Sequence, residues 1–245
     1  METPEFLQAL ETEGRLLAAA AEEAGTSAKV PTCPQWQVRD LLRHTGAVHR
    51  WAASYVAERH TERRPLGEAP DLDGAELVAW YRDSHRHLVG TLADASPDVE
   101  CWFFLPAPSP LAFWTRRQAH ETAVHRVDAE SARGGGITPV TPVTPDFATD
   151  GIDELLRGFH ARSRSRVRTD EPRVLRVRTD DTDAAWTVRL SSEPPVTTRG
   201  VSGDAECELS GPAEKLYLGL WNRAPLPSVT GDQALAELWR ETSGI

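Results

Sequence analysis

Cysteine, basic charge and long apolar runs are all in short supply in this chain. Its three cysteines, Cys33, Cys101 and Cys207, stand far apart without CxxC spacing. They suggest neither a disulfide framework nor a thiolate metal cluster, and a reducing cytoplasm is the expected compartment. No apolar run approaches the ~20 residues that cross a bilayer, and the first fifteen residues carry acids where a secretory signal needs a basic segment. Neither secretion nor membrane insertion is expected. Lysine and arginine total 27 against 37 acidic residues, a formal net charge of -10. That balance disfavours nucleic acid or an anionic membrane as the main partner and directs attention to small molecules. The arginines at 157, 162, 164, 166, 168, 173, 176 and 178 form a local basic run, but only Phe159 and His160 bring rings near it. A solvated face that offsets nearby acids is the expected reading.

What is present is enough apolar residue, 40% of the chain, to bury a core. Thr3-Pro4 reads as an N-cap followed by proline at the first helical position, and Phe6, Leu7, Leu10, Leu17 and Ala21 recur at helical spacing up to Gly25. After Pro31 to Pro34, a second helix places Val38, Leu41, Leu42, Val48, Trp51, Tyr55 and Val56 on one stripe. Asp73 with Glu76 resembles a capping box, opening a third helix that runs to Ser96-Pro97. A fourth spans Leu111 to about Ala132, a stretch without a breaker. Four long helices with apolar stripes predict a four-helix bundle over residues 1–132. Gly134-Gly135-Gly136 and the Thr/Pro alternation that follows predict a linker over 133–145. Residues 146–245 read as a smaller α+β domain. It has a helix from Phe147 to Arg164, short strands at 174–179, 185–190, 196–199 and 206–209, and closing helices at 212–222 and 232–240.

His120-Glu121 followed by His125 invites comparison with the zinc-protease motif HExxH. The histidines are five apart, however, and diverge by roughly 140° around a helix, so they cannot share an ion. Glu121 and His125, four apart, diverge by only about 40° and can converge from successive turns. A third ligand must come from another helix. His44, between Leu41 and Val48 on the second helix, is the candidate, while His49 lies well round from it. From spacing alone the alternative stays open, that these histidines cap carbonyls, pair with acids or face solvent. Two imidazoles and a carboxylate suit Zn²⁺, with Fe²⁺, Ni²⁺ or Mn²⁺ possible, and three protein ligands leave a position open for chemistry.

Two segments carry a resemblance. Residues 30–44 (VPTCPQWQVRDLLRH) with Val48-His49-Arg50-Trp51, and residues 116–129 (RRQAHETAVHRVDA), resemble the signatures of the mycothiol-dependent maleylpyruvate isomerase family. The likeness continues through Asp150 to Leu155 and Leu209 to Ala213, covering essentially the whole chain. It implies a DinB-like N-terminal bundle whose metal ligands match His44, Glu121 and His125, followed by an α+β domain similar to sterol-carrier folds. It also implies mycothiol, a low-molecular-weight thiol, as cofactor, reaching the metal from between the domains. A C-terminal arginine, here Arg223, would assist catalysis and cofactor binding. Where the family often has glycine before that arginine, this chain has Asn222.

The function implied is that of a mycothiol-dependent metalloenzyme, an isomerase or S-transferase acting on a small electrophilic substrate such as a maleylpyruvate-like carboxylate. Thiol-independent metal hydrolysis or transfer, and non-catalytic binding of a small ligand, are the rivals. A monomer or weak homo-oligomer is expected. Arg116 and Arg117 could grip a substrate carboxylate, although helix arginines are usually solvated. His49 and His120 could orient ligands but more often satisfy structural roles, Cys33 is expected to pack, and most of the tryptophans should be core.

Overall fold

The computed structural model describes residues 1–134 and 141–244. It divides into two compact units, Met1–Val140 and Thr141–Ile245. The glycines and most of the Thr/Pro alternation of the predicted linker, residues 135–140, lie outside the described residues.

The first unit holds four helices: α1 (Thr3–Ala24), α2 (Val38–Glu58), α3 (Gly74–Asp94) and α4 (Pro110–Ser131). Their starts follow capping chemistry, with two corrections to the expected caps. Glu2, not Thr3, caps α1, closing a reciprocal pair with Glu5 so that Pro4 falls in the first turn, where no N–H is needed. Asp73 caps α3 by accepting from the Gly74 N–H instead of pairing with Glu76. Gln37 and Asp40 cap α2 reciprocally, and Ser109 accepts from Ala112 at the head of α4.

α1 packs chiefly on α4, and α2 on α3. Leu17, Ala21, Leu41, Leu42, Leu77 and Tyr81 are buried between them, as the apolar periodicity of the first three helices dictates. Tyr55, Trp51, Trp102, Trp114, Phe104 and Phe113 stack into a second, aromatic cluster, with the Tyr55 and Trp114 ring centroids 4.9 Å apart. α4 departs from the expected single stripe: it is buried on nearly every side, charged residues included. Arg126, fully buried, donates to Glu13 of α1 at 2.7 Å and to Glu130 one turn on at 2.9 Å. Such charges are tolerated in a core only because each is partnered.

The second unit is α+β, with a mixed sheet in the order β3-β2-β1-β4-β5. The strands are β1 (Arg173–Thr179), β2 (Ala185–Leu190), β3 (Val196–Arg199), β4 (Cys207–Gly211) and β5 (Val229–Gly231). Among the described residues only β1 and β4 pair in parallel. Leu175, Val177, Trp186, Val188 and Leu209 fill the buried face. Several arginines of the basic run meet acids, as expected: Arg178 pairs with Glu208 and Asp180, and Arg173, at the head of β1, with Glu206 and Asp232; Arg166 and Arg168 donate to backbone carbonyls instead.

The helix predicted over 147–164 is shorter and changes type. α5 (Pro145–Asp153) passes into a π-helical segment, Glu154–Phe159, and ends there. The Thr197 hydroxyl of β3 donates to the Leu156 carbonyl, and Asp153 accepts from Trp186 Nε1 and Arg199 Nε. The segment that changes type is thus bonded to the sheet at Asp153 and Leu156. α6 (Ala213–Leu220) and α7 (Gln233–Thr242) complete the unit.

Candidate metal centre

His44 projects from α2, and Glu121 and His125 from successive turns of α4. Their ligand atoms all lie within 4.8 Å of one another. Glu121 Oε1 is the hub, 3.3 Å from His44 Nε2 and 3.3 Å from His125 Nε2. A tetrahedral ion with bonds of about 2.0–2.1 Å separates neighbouring donors by roughly 3.3 Å, so this spacing fits a small divalent cation. Access is graded: the side chains of His44, Glu121 and His125 are 32%, 22% and 9% exposed. The Trp36 ring lies 5.0 Å from that of His44 and stacks at 5.9 Å on that of His125.

The remaining atoms of the two α4 residues are held from behind. His125 Nδ1 is 2.8 Å from Asp128 Oδ2. A carboxylate can only accept, so Nδ1 carries a hydrogen, which leaves Nε2, on the Glu121 side, as the ring atom that could ligate an ion once its own proton is lost. Asp128, fully buried, also accepts from Thr32 Oγ1 at 2.6 Å and from Cys33 Sγ at 3.6 Å. The loop between α1 and α2 is thereby tied to α4. Cys33 packs here, as expected, against a carboxylate. Glu121 Oε2 accepts from Arg117 Nη2 at 3.1 Å.

Electrostatics follow from these contacts. Burial pushes the Glu121 pKa up, but hydrogen bonds from His125 and His44 and the charges of His125 and Arg117 outweigh it and hold the carboxyl well below its usual range. Burial likewise lowers His125, yet Asp128 and Glu121 raise it to about 9. A metal ion must therefore displace a proton from Nε2, and loading should strengthen as pH rises.

Other expected candidates fall elsewhere. His49 is buried against Tyr81 and His85, with Nε2 2.9 Å from Thr122 Oγ1. His120, also buried, meets the Phe6 ring edge-on. Arg117 is not solvated: it is buried and paired with Glu121. Asp128, Thr32 and the bracing role of Arg117 are the members that spacing did not single out; only the three-residue interval from His125 to Asp128 hinted at one of them. Arg223 lies in the second unit, where its Nη1 donates to the Trp221 carbonyl at 2.8 Å. Asn222 before it adopts φ 57°, the left-handed region in which asparagine is the usual substitute for glycine. Its side-chain amide donates to Arg240 O and Ser243 Oγ, both at 3.1 Å. The turn survives the loss of the family glycine for that reason.

Among the described residues no helix is long and apolar enough to cross a membrane. No curated protein matches the sequence. Among solved structures, a point mutant of a mycothiol-dependent maleylpyruvate isomerase superposes with a TM-score of 0.65 at 13% identity, covering 94% of this chain and 92% of that one. The unmutated isomerase gives 0.61 at 13% identity with the same coverage. The family model of the mycothiol maleylpyruvate isomerase N-terminal domain matches residues 7–130, and that of the corresponding C-terminal domain matches residues 146–238. With its four-helix bundle, its α+β unit and matches along nearly its full length, the chain belongs to the mycothiol maleylpyruvate isomerase family.

Proposed function

We propose that this chain is a mycothiol-dependent metalloenzyme in which His44, Glu121 and His125 hold a divalent ion, zinc by the nature of the donors. The observation that carries the reading is the convergence of two imidazole Nε2 atoms on one carboxylate oxygen at 3.3 Å, in a chain of this family. When bound, the ion supplies the Lewis acidity that keeps a cofactor thiol ionised at neutral pH, the nucleophile that isomerisation of an activated double bond requires.

The chain's own contribution is positioning. Asp128 fixes the tautomer of His125, Trp36 walls the two imidazoles, and the more exposed His44 and Glu121 mark the side from which ligands enter. The substrate class is a small electrophilic carboxylate such as a maleylpyruvate-like compound, with cis–trans isomerisation as the outcome and transfer of the thiol to the substrate as the alternative. Arg223 is assigned to cofactor binding and catalysis on family resemblance. The domain limits proposed are 1–132 and 146–245, joined by 133–145. Three cysteines outside any disulfide among the described residues fit a cytoplasmic protein, here taken as a monomer or weak homo-oligomer.

Calorimetry of the zinc-loaded protein with mycothiol tests this directly. Thiol binding that disappears in the metal-free protein is expected. Metal binding without thiol affinity would replace this reading with thiol-independent hydrolysis or simple ligand binding.

A further inference from the structure

We propose that Arg117 is a positioning residue that keeps Glu121 a one-oxygen metal ligand, and so keeps coordination positions free for cofactor and substrate together. The inference rests on the metal reading above.

The two oxygens of Glu121 have separate employments. Oε1 faces both imidazole nitrogens at 3.3 Å, whereas Oε2 is 3.1 Å from Arg117 Nη2. The three residues form a ladder on α4: Arg117 one turn before Glu121, His125 one turn after. The Arg117 side chain is only 4% exposed. A guanidinium buried this deeply is costly to desolvate, and next to a divalent cation it also meets like-charge repulsion. A site that needed only a cage would do better with a neutral donor or with both carboxylate oxygens on the ion.

A guanidinium supplies what a neutral donor cannot. It competes with the ion, as a second cation, for Oε2. An Oε2 so occupied cannot swing onto the metal. The protein then offers three donor atoms, and an ion that expands from four to five ligands can accept a cofactor sulfur and a substrate oxygen at once. Arg117 also offsets the charge of Glu121, so that the ion keeps more of its own.

The test uses the full chain loaded with Co²⁺ in place of Zn²⁺. Wild type should show the intense visible bands of a four-coordinate ion. Arg117→Met, a substitution of similar volume without charge, should give bands several-fold weaker as Oε2 joins the ion. Arg117→Lys, which restores a buried cationic donor, should return the wild-type spectrum. Difference infrared spectra of the wild type on adding Zn²⁺ read the same property without any variant: the wide carboxylate splitting of one-oxygen ligation is expected, and the narrow splitting of two-oxygen ligation would overturn the proposal. An Arg117→Met spectrum identical to wild type would also overturn it while leaving the metal site standing. A wild type that takes up no Co²⁺ would overturn the metal reading, and this proposal with it.

Discussion

Asp128 Oδ2 stands 2.8 Å from His125 Nδ1, the ring nitrogen opposite the one that faces Glu121. Because Thr32 and Cys33 hold the same carboxylate from the neighbouring loop, His125 is aimed by a contact spanning 96 residues of sequence. Asp128→Ala should therefore lower zinc affinity roughly 10- to 100-fold, as loss of a partner behind a ligand does elsewhere. Asp128→Asn, whose amide oxygen still accepts from Nδ1, should lose less, and Thr32→Val less again. Competition with a chromophoric chelator measures all three; equal affinities across the series would contradict the role given to Asp128.

Much of this centre is legible in the sequence, and the reason is geometric. Helical periodicity separates Glu121 with His125 from the misleading His120 pair, whereas the stripe through Leu41 and Val48 only allows His44 to face them, and the family resemblance singles it out. Asp128 and Thr32 escape such reading because their partnership is between distant segments. Arg117 looks like any solvated helix arginine, since its spacing to Glu121 says nothing of burial. α4 hides its depth for a related reason: buried on nearly every side, it has no polar face to contrast with an apolar one. In the second unit, β5 is three residues long, too short for alternation to register. The π-helical segment is bonded to Thr197, 41 residues downstream of Leu156, a partnership no local pattern reveals.

His160 supplies a pH dependence separate from the centre. It is buried, with its ring centroid 4.7 Å from that of Trp239 and Nδ1 3.0 Å from Ser165 Oγ. Burial, aided by the charge of Arg168, pushes its pKa down to about 4. The folded value lies below the unfolded one of about 6.5, so the unfolded chain takes up the proton first. The corresponding stability is complete above pH ~6.5 and falls away as the pH drops towards 4, by on the order of 3 kcal/mol. Urea unfolding across that window should show wild type losing more stability than His160→Asn, whose amide can serve Ser165 without titrating. Parallel curves would contradict it.

Asn222 offers a test of the turn before Arg223. At φ 57° a β-carbon is strained, and asparagine offsets that with its bonds to Arg240 and Ser243. Asn222→Ala keeps the strain and loses the bonds, and should cost about 1–2 kcal/mol. Asn222→Gly loses the bonds but relieves the strain and should cost less. Thermal unfolding of the two variants should rank alanine below glycine; the reverse order would show that the left-handed turn does not govern this site.

Metal content bears most directly on the whole account. Wild-type protein, purified without chelator and dialysed, should carry about one equivalent of divalent metal per chain by elemental analysis, and His44→Ala, lacking one of three ligands, should carry little while staying folded. Wild type free of metal and unable to bind added zinc would contradict the account, reducing His44, Glu121 and His125 to a cluster of ion pairs.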